Sequence, residues 1–128
     1  MEEAFLALLT DSGAVTAHVP AARINWGAHP QGAGSPYIML TVISDSEGLH
    51  MQGPDGLSQA RVQVDIYAPT YGDAKSAARA VRALLHGHRA GSFRLIEFAG
   101  SRDNREGGTN EAERLHRVGM DFIVNWRA

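Results

Sequence analysis

One stretch, residues 60–87, constrains the fold of this chain more than any other. It runs a strand directly into a helix and stops that helix on a glycine. Arg61, Gln63, Asp65 and Tyr67 alternate with Val62, Val64 and Ile66. A period of two places the apolar set on one face of a half-buried strand. Pro69 ends the strand, and Thr70 is positioned to cap a helix, its hydroxyl accepting from a first-turn backbone N–H. Tyr71, Ala74, Ala78, Val81 and Leu85 then recur at spacings of three and four, with Ala77 and Leu84 beside them. That stripe predicts an amphipathic helix over 71–86, with Gly87 as the residue just past its end.

The remaining elements are placed around this unit. A short helix is expected over 2–11, where Ala4, Phe5, Leu8 and Leu9 share a stripe and Glu2 and Glu3 suit the positive end of the helix dipole. Residues 14–36 read as a meandering connection with a helical turn near 15–18, punctuated by Pro20, Gly27, Pro30, Gly32, Gly34 and Pro36. The β-rich run 37–43 predicts a strand buried on both faces. Residues 44–57 predict a long hairpin arm reversing at Pro54-Asp55-Gly56, where proline presets φ and glycine accepts a positive one. A further strand is expected over 92–101. The polar, glycine-rich stretch 103–112 reads as a mobile loop, and 114–126 as the last strand. His116, Val118, Met120, Phe122, Val124 and Trp126 share one face of it; Arg117, Asp121 and Asn125 share the other. The order α-β-β-α-β-β predicts an α+β domain spanning 1–128. Two helices pack on one mostly antiparallel four-stranded sheet, and the crossover helix leaves room for one parallel pair.

Composition removes several classes of chemistry. With no cysteine among 128 residues, there is no disulfide, thiolate metal site or thiol nucleophile. A net charge of −2 gives no global basic field toward nucleic acid. No apolar run approaches the roughly 20 residues a membrane helix needs, and the acidic start does not read as a secretory signal. Six histidines invite a metal site. The closest pair, His86 and His88, flanks a helix-ending glycine without a carboxylate at ligand spacing, so no metal is expected. No serine sits in a nucleophile elbow, and no glycine-rich run has phosphate-loop spacing. Asp65, Glu97 and Asp121 project from strands and read as solvated faces or inter-strand salt links rather than an acid–base pair. No catalytic residue and no cofactor follow. Lys75, Arg79, Arg82 and His86, at intervals of four, three and four, form one basic stripe along the central helix.

These segments together resemble the tail-completion, or tail terminator, proteins of long-tailed phages and gene transfer agents. The likeness runs from the first helix and Val19–Ile24 through Pro30-Gln31-Gly32 and Pro36-Tyr37-Ile38. It is strongest at Gln63-Val64-Asp65-Ile66-Tyr67-Ala68 and the helix ending Val81-Arg82-Ala83-Leu84-Leu85-His86-Gly87. It closes with Leu115-His116-Arg117-Val118, Asp121-Phe122 and Trp126. The runs 27–34 and 103–112 depart from that pattern. The resemblance implies a non-enzymatic ring, usually sixfold, that caps the head-proximal end of a tail tube and meets the head connector or stopper. Expected partners are copies of itself, the tube protein and the connector, with DNA only as passing cargo and no membrane. Such a protein is assembled in the host bacterial cytoplasm and ends in the particle's tail. A ring needs two different patches per subunit. The arm and the 103–112 loop are expected to supply them, so Leu49, Met51, Asp103, Arg105 and Glu106 are candidate contacts, with Lys75, Arg79 and Arg82 on the helix. Two other classes remain open: a small nucleic-acid-binding module using the basic stripe, and a small α+β enzyme using carboxylates or His116.

Overall fold

The computed structural model describes residues 1–28, 34–50, 53–107 and 114–127, with backbone alone at 47–50, 53–57, 105–107 and 114. Its elements are α1 (Glu2–Thr10), α2 (Gly13–Thr16), a 3-10 turn (Ala21–Arg23), β1 (Ile24–Trp26), β2 (Tyr37–His50), β3 (Gly53–Ala68), α3 (Tyr71–Leu85), β4 (Phe93–Gly107) and β5 (Arg114–Arg127). The class is α+β as expected, but the sheet has five strands, in the order β1-β2-β3-β5-β4. The added strand is β1, which pairs parallel to β2 through Ile24↔Ile38 and Trp26↔Leu40. The parallel pair therefore lies at the sheet's edge. β3 and β4, joined by the α3 crossover, also run parallel, but β5 sits between them and pairs antiparallel with both.

One face of the sheet carries the helices. Val62, Val64, Ile66, Ile38, Leu40, Phe122 and Val124 are buried there beneath Phe5, Leu9, Val15, Ala74, Ala77, Val81 and Leu85. The half-buried alternation of β3 thus holds for its apolar set. Thr70 caps α3 as expected, its hydroxyl accepting from the Asp73 N–H at 3.1 Å. The helix ends on a tight turn: His86 (φ −65°, ψ 120°) and Gly87 (φ +84°) bring the His88 N–H to the Leu85 carbonyl at 3.0 Å. That is a type II turn, whose third residue requires the positive φ that glycine accepts.

Four expectations need correction. Tyr37–Ile43 is not buried on both faces: Ile38 and Leu40 are enclosed, while Ile43 is 50% exposed. The reversal does not fall at Pro54-Asp55-Gly56: Gly53 already pairs with His50, and Pro54 lies within β3 opposite Leu49. Pairing with β5 extends β4 to Gly107, so 103–107 is strand and not loop. Tyr71, assigned to the buried stripe, is 51% exposed, because the first helical residue overhangs the end of the core.

Candidate interaction surfaces

The basic stripe of α3 lies along β4. Lys75 Nζ donates to Asp103 Oδ1 at 2.9 Å, and the Tyr71 hydroxyl donates to Oδ2 at 3.1 Å. Both oxygens of one carboxylate are thereby held by the first turns of the helix. The hydrogen bond from Lys75 holds the Asp103 carboxyl below its ordinary range, and the same bond raises the Lys75 ammonium above its own. With Asp103 39% exposed along its side chain, solvent screens the pair and its net worth is small. Asp103→Asn is expected to lower stability by less than about 1 kcal/mol at neutral pH. A depressed carboxyl stabilises fully above its unfolded value and loses that contribution as pH falls through the folded one. Urea titrations of variant and wild type should therefore converge in acid.

Further along the stripe, the Arg82 guanidinium sits over the Phe98 ring, 4.0 Å from its centroid. Arg79 is exposed and has no partner among the described residues. It lines a groove of about 160 Å³ with Lys75, Arg82, Ser101 and Met120. The stripe's last member, His86, is structural: its Nδ1 accepts from the Phe98 N–H at 2.9 Å. The turn that follows clasps the outer edge of β4. The Gly87 N–H reaches the Ile96 carbonyl at 2.7 Å, and the Ile96 N–H reaches the His88 carbonyl at 3.0 Å.

The helix-free face of the sheet is polar and cross-linked. Asp65 is only 2% exposed. It accepts from Arg117 Nε at 3.1 Å and from Gln63 at 2.9 Å. Tyr37 and Tyr67 stack beside it with centroids 4.6 Å apart. Gly119, directly opposite Asp65, leaves the room this needs; a Cβ there would stand 3.0 Å from Asp65 Oδ1. Asp121 binds Arg61 at 3.0 Å and Arg102 at 3.5 Å. Two of the three strand carboxylates are thus locked to arginines, the second of the two readings, solvated face or inter-strand salt link, that the sequence left open. Among the described residues no cluster of His, Asp and Glu could hold a metal, and no helix is long and apolar enough to cross a membrane.

Of the expected contact residues, the fold brings Lys75 and Asp103 together and sets Arg79 and Arg82 beside one groove. Leu49, Arg105 and Glu106 are strand residues, opposite Pro54, His116 and Leu115. Met51 falls outside the described residues. The hairpin β2–β3 and the hairpin β4–β5 project from opposite ends of the sheet, since β5 ends opposite Leu57 and β3 ends opposite His116. Sequence reasoning missed the Tyr71 hydroxyl and the Asp65–Arg117 pair. Only the polar face of the β3 alternation hinted at the latter.

The family model described as Tail completion protein gp17 matches residues 3–125. A comparison with curated proteins finds no match. Among solved structures, a chain of "Virion of native gene transfer agent (GTA) particle" superposes with a TM-score of 0.72 at 17% identity, covering 97% of this chain and 92% of that one. At that identity the likeness bears on the fold, which the two chains share almost end to end. The family match reaches every strand and helix that builds the surfaces above, and so this chain belongs to the Tail completion protein gp17 family, a structural component of a tail and not an enzyme.

Proposed function

We propose that this chain is a ring-forming tail terminator, which caps the head-proximal end of a tail tube and joins it to the head connector. The observation that carries the reading is the pair of hairpins projecting from opposite ends of one rigid sheet. One subunit then offers different surfaces along one axis, as a ring bridging two unlike partners requires. The cross-linked polar face supports the same reading, because Asp65 and Asp121 are held by arginines instead of facing each other across a cleft. The gene transfer agent particle in which the similar fold occurs suits a phage-like tail as its place of work. Assembly would occur in the bacterial cytoplasm, as a sixfold ring, with DNA passing through as cargo.

Light scattering over a range of concentrations, with and without tail tubes, tests the proposal. A ring-sized species, or capture at tube ends seen by electron microscopy, is the expected result; a strict monomer that ignores tubes overturns it. Arg79→Glu with Arg82→Glu separates this reading from nucleic-acid binding. Assembly should fail while affinity for duplex DNA stays unchanged and weak. A large loss of DNA affinity with a steep salt slope would favour the nucleic-acid reading.

A further inference from the structure

We infer that neighbouring copies join by a staggered pairing of two strand edges, the outer edge of β2 in one copy with the outer edge of β4 in the next. The inference rests on the ring reading above and names the surfaces that would close it. Exposed strand edges are templates for another strand, and this sheet leaves two of them partly open. β1 covers β2 only at Ile38, Met39 and Leu40, and among the described residues no strand covers the rest of β2 through His50. On the far side, the 86–88 turn occupies the β4 edge at Ile96 and Phe98. From Ala99 to Gly107, that edge has no strand neighbour among the described residues.

Side chains mark the same two segments. The exposed large apolar residues among those described are Ile43 and Tyr71. Ile43 lies on the open stretch of β2. Tyr71 stands beside the open stretch of β4, bonded to Asp103. The charges are complementary. Asp45 is exposed and opposite Ala60, a buried residue of the helix-bearing face, so it stands on that face. Arg79 stands on the helix-bearing side beside Ser101, exposed and without a partner among the described residues. If the two edges join into one sheet, the helix-bearing faces become continuous, and Asp45 of one copy meets Arg79 of the next.

Geometry also sets how they join. Three antiparallel pairings separate β2 from β4, so these strands run in opposite directions. Copies related by rotation about an axis near the strand direction therefore present antiparallel edges to each other. The open stretches lie at different heights: that of β2 is level with residues 121–127 of β5, and that of β4 with residues 114–121. A neighbour must slide along the strands to engage. Such a stagger accompanies strand tilt when a sheet closes on itself, which favours a ring over a flat, open array.

The absence of cysteine makes the test direct. Ser44 and Arg102 both sit on the helix-free face, opposite Arg61 and Gly119, as does Asn104, opposite Arg117. A chain carrying Ser44→Cys with Arg102→Cys, or with Asn104→Cys, should form a ladder of disulfide-linked oligomers on oxidation. Asp45→Arg and Arg79→Asp should each raise the concentration for half-assembly by about tenfold or more, since like charges then face each other. The two changes combined should recover most of the loss. Both sites are exposed, and unchanged melting temperatures would show that the subunits still fold. Wild-type assembly unaffected by either reversal, with no cross-link from either cysteine pair, overturns the edge pairing and leaves the ring standing. A wild type that stays monomeric even on tail tubes removes the ring and the pairing together.

Discussion

Val64→Asp should abolish the native fold at 37 °C, with a loss of about 4 kcal/mol or more by denaturant titration wherever any folded protein survives. Val64 is fully enclosed, between Leu40 on one neighbouring strand and Met120 on the other. A carboxylate there would be cut off from water, and each of these cross-strand neighbours is apolar. Marginal stability of about 5–15 kcal/mol for a domain makes such a loss decisive. A variant melting at the wild-type temperature would mean that β3 does not lie at the centre of the sheet.

Asp65→Ala should cost about 2–4 kcal/mol, the next largest effect. The site faces the side of the sheet without helices, where a polar residue would ordinarily be solvated and replaceable at little cost. Asp65 is instead enclosed, and its carboxylate receives Arg117 at 3.0 Å and Gln63 at 2.9 Å. Alanine removes the acceptor of both and leaves a void beside Gly119. Arg117 is 20% exposed along its side chain, so water partly compensates, which keeps the figure below that of a fully enclosed pair. Asp65→Asn should fall between alanine and wild type, because the amide oxygen still accepts. A cost below about 0.5 kcal/mol for Asp65→Ala, the range of an ordinary surface change, would show that the pair is solvated and contributes little.

How much of this was legible in the sequence depended on whether the signal was local. The elements from Arg61 to Gly87 read correctly, because a period of two, a capping threonine and a period of 3.6 follow one another without interruption, although Tyr71 proved exposed and Asp65 and Tyr67 buried. β1 did not, since three residues are too short for any periodic window. The apolar run 37–43 gave no indication of which face would be covered. Pro54-Asp55-Gly56 carries strong turn chemistry, yet the register with β2 places the reversal earlier. Residues 103–107 look like a loop by composition, but their strand identity comes from β5, a segment distant in sequence. Of the candidate contacts, the basic stripe was visible as helical spacing. Its partner Asp103 lies 28 residues from Lys75, and Arg117 lies 52 from Asp65, separations that no local pattern reports.

The position of β5 has a consequence for how the protein comes into being. It leaves the ribosome after both strands between which it sits. Until it emerges, β3 and β4 each lack their shared partner, and α3 lacks part of the floor beneath its apolar stripe. Closure of the sheet must therefore wait for β5, so the domain matures by long-range pairing, a slow route. Copies competent to associate should then exist only once β5 has paired with both neighbours.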